Sequence, residues 1–314
     1  MKLGEYFRIP PRQGRLFFAW VLWAVAMMSN AVVGVLLQAY LTRVQIDTGM
    51  PLRDIGFEFL PYISSSSMGL AIPDLCSLLS ATIITISLAI HFQPSMASVI
   101  LRRVLLISAI AYAGRAVSVP LTLLPNPDPD CIPFLHPSSL FLSVVLVPFG
   151  GSITCADVFY SGHTIPISCA LLVWIDYMRY SRLRLIGIFV STMALLGIIA
   201  TRFHYTVDVF YGFIVTWVLC RGYHFGLRCP SVFNNFRFFH WWEHADACGD
   251  VIPINRAGVV DLDFSRDPRL LWTFAKRAKV VIPRSTFTKS QLALLLLVVM
   301  TLSPSWIAIY HKSV

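Results

Sequence analysis

Charge is what this chain has least of. Of its 314 residues, 25 are Lys or Arg and 16 are Asp or Glu, only 13%, about half the roughly 25% of an ordinary soluble protein. Residues AVILMFWYC make up 56%, and the mean hydropathy is +0.69. So few charges cannot cover so much apolar side chain in water. Soluble, disordered, fibrous and small disulfide-stapled readings are therefore excluded. The seven cysteines include no C-x-x-C pair, which removes the common zinc motifs and a disulfide framework. No Asn-x-Ser/Thr acceptor occurs, so glycosylation gives no sidedness. What remains is long apolar runs, and they specify an all-α, polytopic membrane helix bundle. In that setting the net charge of +9 points to loop topology and anionic lipid headgroups rather than to nucleic acid.

A span needs about 20 mostly apolar residues. The first candidate, Leu16 to Thr42, carries no charge and follows Lys2, Arg8, Arg12 and Arg15. It is too long for a signal peptide and no small-residue cleavage site follows, so it is expected to be a retained anchor. Further spans are expected at about 75–92, 104–124, 162–178, 185–201 and 207–220, with a candidate seventh at 291–310. The short apolar stretch 139–151 contains Pro148, Gly150 and Gly151 and is expected to be re-entrant or interfacial. Four units follow: a cytosolic N-terminal segment 1–15, a six-span catalytic body 16–220, a cytosolic basic and aromatic segment 221–290, and residues 291–314 with the seventh helix.

Basic residues alternate loop by loop. Arg102–Arg103, the cluster Arg179, Arg182 and Arg184, and the pair Arg221 and Arg228 mark cytosolic ends. No Lys or Arg lies between Pro125 and Gly162, where Asp128, Asp130 and Asp157 stand. The positive-inside rule then puts the acidic loops on the lumenal or exterior face. Cys131 and Cys155 fall on that oxidising side and could pair.

Two pieces carry residues out of place in a membrane protein's apolar body. One is Asp157-Val158-Phe159-Tyr160-Ser161-Gly162-His163-Thr164, at the outer start of span four. The other is Arg202-Phe203-His204-Tyr205-Thr206-Val207-Asp208, between spans five and six. Topology brings His163, Arg202, His204 and Asp208 to one membrane face. Four residues apart, Asp208 could hydrogen-bond the His204 ring on a helix, leaving the other nitrogen as nucleophile. His163 could supply the complementary proton transfer. Arg202 and the backbone N–H groups opening span four could stabilise charge on phosphate oxygens. Arg115, alone in span three, is expected to hold an anion or pair with a carboxylate. This set suits phosphoryl transfer through a phosphohistidine, without metal or cofactor. A His240/His244/Cys248 metal site lacks a fourth ligand.

These residues resemble a known family. D-x-x-x-S-G-H-T at Asp157–Thr164 and H-Y-T-x-D at His204–Asp208 are similar to the paired signatures of the sphingomyelin synthase and inositol phosphorylceramide synthase family, within the lipid phosphate phosphatase superfamily. Pro51-Leu52-Arg53-Asp54-Ile55-Gly56-Phe57 resembles its motif after span one. Arg102-Arg103, Tyr112, Arg115 and Leu124-Pro125-Asn126-Pro127 resemble its motif along span three. The departures are Ala156, where the family usually has Gly, and Arg53, where it usually has Pro.

The resemblance implies six spans and an enzyme of a Golgi or other endomembrane, or of the plasma membrane, with its active site on the lumenal or exterior face. It further implies transfer of a phospho-headgroup from a glycerophospholipid to the primary hydroxyl of ceramide, releasing diacylglycerol. His204, oriented by Asp208, would attack phosphorus and His163 would move the proton. Asp157, Ser161, Gly162, Arg202, Arg115 and Tyr112 would bind phosphate or headgroup. Leu-Pro-Asn-Pro-Asp at 124–128 and Arg202-Phe203-His204 look more like protozoan members, which favours phosphatidylinositol as donor over phosphatidylcholine or phosphatidylethanolamine. The competing readings are a lipid phosphatase or phospholipase C-like hydrolase using the same histidines, and a transporter.

Overall fold

The computed structural model describes residues 12–44, 50–63, 72–92, 94–128, 131–137, 139–147, 151–178 and 180–228. The expected seventh span and nearly all of the 221–290 segment lie outside the described residues. Within them the protein is all-helical, apart from one antiparallel bridge between Phe134 and Ile153. The helices are α1 (Arg12–Val44), α2 (Ile55–Phe59), α3 (Ile72–His91), α4 (Pro94–Leu121), α5 (Leu140–Leu146), α6 (Thr164–Asp176), α7 (Ser181–Ala200) and α8 (Thr206–Arg228).

Six of these match the expected spans, and two are short. The stretch expected to be re-entrant contains only α5, whose N-terminus is capped by Ser139 Oγ accepting from Leu142 N–H. By length and composition, four helices could cross a membrane: α1, α3, α4 and α7. The chain is an integral membrane protein on these helices alone. α8 is long enough but diluted by Asp208, Arg221, His224 and two tyrosines. α4 starts some ten residues earlier than its apolar run, so Arg102 and Arg103 are helical and buried rather than in a loop. Pro94 is pre-organised for that first position.

α6 is the central helix, packed against α3, α4, α7 and α8. Ten of its 13 residues are buried. It is too short to span because the residues above it, 151–163, are a non-helical loop inside the bundle. Such backbone is tolerated at depth only when protein satisfies its polar groups, and here arginine and tyrosine side chains do so.

α1 lies along α4. Apolar burial drives helix association weakly in lipid, where close approach and interhelical hydrogen bonds matter more. Accordingly Ala19 and Ala26 of α1 are buried in a cluster shared with α4, and Asn30 Nδ2 donates to the Tyr112 carbonyl at 2.7 Å. Farther along α1, Gln38 Oε1 accepts from Cys155 N–H at 2.9 Å, fastening the loop before α6. At the α6–α7 crossing, Gly187 lies under the Trp174 ring with no room for a Cβ.

Candidate active site

The site forms where three connections meet at one end of the bundle. Asp54 opens the first: its Oδ1 accepts from Gly56 N–H and Thr206 Oγ1, and its Oδ2 from Thr206 N–H at 2.6 Å. One carboxylate thereby caps both α2 and α8. Tyr205 joins the same loops. Its hydroxyl donates to the Pro125 carbonyl and accepts from Leu52 N–H, both at 2.9 Å, while its ring stacks on Phe57. The three segments are thus tied around the turn that carries His204.

The second connection, 151–163, is held by Arg115 from α4. Its Nε donates to the Tyr160 carbonyl at 2.8 Å. Nη2 donates to the Asp157 carbonyl at 2.6 Å and to Asp157 Oδ2 at 3.2 Å, and Nη1 donates to Asn30 Oδ1 at 3.2 Å. Of the two expectations for Arg115, the structure shows the pairing with a carboxylate: the fork engages the protein's own loop and Asp157. Asp157 Oδ1 also accepts from Thr154 Oγ1. Tyr112 donates to the Gly162 carbonyl at 3.0 Å. Gly162 passes directly over the Arg115 guanidinium, where a Cβ would lie 3.4 Å from Nε. Ser161 Oγ accepts from Thr164 N–H and so caps α6 in place of His163. Cys131 and Cys155 form a disulfide at this same end.

Those constraints set the two histidines face to face. Their ring centroids are 5.9 Å apart, with the Phe203 ring edge-on to His163 at 5.2 Å and to His204 at 5.4 Å. His163 Nε2 lies 2.9 Å from Asp74 Oδ1, on the first turn of α3, and its Nδ1 is buried with no hydrogen-bond partner. Taking Nε2 as the protonated nitrogen leaves the Nδ1 lone pair facing inward. In the sequence Asp74 stands just before the expected start of span two, on the same outer side as His163, and that placement is the one signal that could have found it.

His204 differs from the expected arrangement. It sits in a turn, not on a helix, so the four-residue spacing does not stack its ring on Asp208. Its Nδ1–H donates to the Val158 carbonyl at 3.1 Å. The carbonyl fixes the tautomer and leaves Nε2 as the free nitrogen. Asp208 Oδ2 instead accepts from Tyr205 N–H at 3.1 Å, and its backbone carbonyl accepts from Ser161 N–H. Asp208 thus binds the two motif turns together, while its Oδ1 is buried without a partner. Burial, the adjoining His163 and the Arg115 charge together hold the His204 imidazole well below the ordinary histidine range. It is neutral at neutral pH.

Arg202, two residues before His204, is set on aromatic rings of the first connection. It has φ of 54°, in the left-handed region, and its guanidinium lies over the rings of Phe57 at 5.5 Å and Tyr62 at 5.0 Å.

The PAP2 superfamily C-terminal model matches residues 154–225, which include both histidine motifs. A phosphatidylcholine:ceramide cholinephosphotransferase 2 of Caenorhabditis elegans is 25% identical over 192 residues, covering 55% of this chain and 56% of that one. A phosphatidylinositol:ceramide inositolphosphotransferase of Trypanosoma cruzi is 36% identical over 107 residues, 32% of each chain. A phosphatidylethanolamine:ceramide ethanolaminephosphotransferase of Trypanosoma brucei brucei is 34% identical over 116 residues, covering 34% of this chain and 35% of that one. The matched part thus spans from about a third to just over half of these relatives. All three are ceramide phosphotransferases, and they differ in the donor they are named for.

Proposed function

We propose, from the premise that this chain belongs to the sphingolipid synthase family, that it transfers a phospho-headgroup from a glycerophospholipid to the primary hydroxyl of ceramide. The observation that carries the reading is the opposed pair: a neutral His204 with Nε2 free, facing a His163 whose Nε2 is held by Asp74. One imidazole is arranged as nucleophile and the other as proton carrier.

In the first half-reaction His204 Nε2 attacks phosphorus. The bond to the diacylglycerol oxygen breaks, and that oxygen takes the Nδ1 proton of a His163 that enters the step as imidazolium, leaving the neutral ring with its Nε2–H on Asp74 and a bare Nδ1. In the second, His163 Nδ1 accepts the proton of the ceramide hydroxyl. Its oxygen attacks phosphorus and the bond to His204 breaks. Asp74 offsets the charge His163 carries before the first step and again after the second. Asp208, Arg115, Tyr112 and Asp157 act as positioning residues, keeping the two turns and the loop in register. Ser161 and Gly162 shape the turn that presents His163.

Residues 16–220 form the catalytic body in this reading, with 1–15 and 221–290 on the cytosolic side and 291–314 as a seventh helix. The alternation of basic loops and the Cys131–Cys155 disulfide support an active site on the lumenal or exterior face of a Golgi, other endomembrane or plasma membrane. Phosphatidylinositol is the proposed donor.

The test is a detergent-solubilised assay with fluorescent ceramide and each of phosphatidylinositol, phosphatidylcholine and phosphatidylethanolamine, beside a His204→Ala control. Labelled phosphosphingolipid that disappears in the control is expected. His204-dependent diacylglycerol without labelled ceramide product would replace the transferase reading with a hydrolase.

A further inference from the structure

Arg202 is the predicted site residue that lies on the first of the three connections around the histidines. Its guanidinium rests on two aromatic rings, Phe57 and Tyr62. Among the described residues it makes no hydrogen bond or ion pair, so its five N–H donors are unused. A non-glycine residue in left-handed backbone is held there against its steric preference, and such conformations concentrate at ligand sites. The turn that imposes it is well anchored: Arg202 N–H donates to the Ile199 carbonyl at 2.9 Å and Thr201 N–H to the Gly197 carbonyl at 3.0 Å. Two residues later the same turn delivers His204.

The pocket's chemistry has a second side. Two aromatic rings set around a cation are the usual receptor for a quaternary ammonium group, and here the protein's own cation occupies it. The acids of the same segment offer no compensation to an incoming ammonium. Asp54 accepts from Gly56 and Thr206, and Glu58 accepts from Arg53 Nε at 2.8 Å.

We propose that Arg202, stacked on Phe57 and Tyr62, is the headgroup selector of this site: it fills an aromatic receptor for ammonium and presents donors to an uncharged, acceptor-rich polyol. This rests on the transferase reading above. The selected class is a phosphopolyol donor such as phosphatidylinositol, and the rejected class is donors ending in choline or ethanolamine. The guanidinium acts on binding of the headgroup, so its effect falls on the ratio between donors and not on the phosphoryl transfer they share.

The experiment compares wild type, Arg202→Leu, Arg202→Lys and the double variant Arg202→Leu/Tyr62→Leu. Each receives fluorescent ceramide with phosphatidylinositol or phosphatidylcholine vesicles, and kcat/KM is read for each donor. Wild type is expected to prefer phosphatidylinositol. Opening the rings in Arg202→Leu should raise the choline-to-inositol ratio by about tenfold or more, the scale of a desolvated cation–π contact. Removing Tyr62 in that background should reverse the gain. Arg202→Lys keeps the charge, so it should lose rate with the inositol donor yet gain nothing with choline. It also serves if the leucine variant does not elute as a folded species.

Equal loss with both donors in Arg202→Leu would overturn the selector and place Arg202 on the phosphate common to both. A wild type that prefers phosphatidylcholine, or a lysine variant that gains it, would also overturn it, while the transferase stands. Absence of labelled product from every donor in wild type would sink the transferase reading, and the selector with it.

Discussion

Replacing Asp74 with asparagine tests the proton-carrying half of the site without changing its shape. The Asp74–His163 contact is 2.9 Å, between side chains 31% and 25% exposed. It is therefore neither a screened surface pair nor a fully desolvated one. Hydrogen bonds to a charged group contribute about 1.5–3 kcal/mol net, and each 1.4 kcal/mol is about tenfold. Because the pair is partly exposed, the lower part of that range applies, giving a loss in kcat of about 10-fold to 40-fold. KM for ceramide should barely move, since the carboxylate acts on the charge His163 carries during transfer and not on bound substrate. Asparagine can also turn its amide toward Nε2 and favour the wrong tautomer, which adds to the loss. His163→Ala should cost more, about 10²–10⁴-fold, the usual range for a positioned acid–base group. Because Asp74 works only through His163, the double variant should be no slower than His163→Ala alone. The assay is steady-state transfer to fluorescent ceramide, with size-exclusion elution as the fold control. A kcat within about threefold of wild type in Asp74→Asn, or losses that multiply in the double variant, would refute the pairing as a catalytic device.

The pH profile offers an independent check on His204. Its pKa is held below the ordinary value of 6.5, so as pH falls the nucleophile stays unprotonated past that point. The acid limb of kcat/KM should lie below pH 6.5, and a limb centred at or above that value would contradict the buried, neutral imidazole. Tyr205→Phe removes the hydroxyl that accepts from Leu52 N–H and donates to the Pro125 carbonyl. The groups left unpaired should lower stability by about 1–3 kcal/mol. A thermal-shift assay in detergent reads this as a lower Tm, and an unchanged Tm would show that the three loops hold together without it.

Much of the fold was legible in the sequence because the bilayer is a strict solvent. Low charge, long apolar runs and alternating basic loops located the helices to within a few residues, except where Arg102 and Arg103 continue α4 and where α8 runs on to Arg228. The alternation also placed His163 and His204 at one end of the bundle, and the model sets their rings 5.9 Å apart. The D-x-x-x-S-G-H-T and H-Y-T-x-D motifs were visible as residue types too polar for their surroundings.

Other features appeared only in the tertiary structure. The partner of His163 is Asp74, far away in the chain. The His204 ring turns to the Val158 carbonyl rather than to Asp208. The Arg115 fork closes on the loop above α6, and Arg202 lies over Phe57 and Tyr62. Hydropathy and loop charge determine the depth of a residue along the membrane normal, because the cost of burying charge in lipid depends on depth. They say little about how far each helix is rotated about its own axis. That rotation is decided by packing between helices, and it selects which donor meets which acceptor.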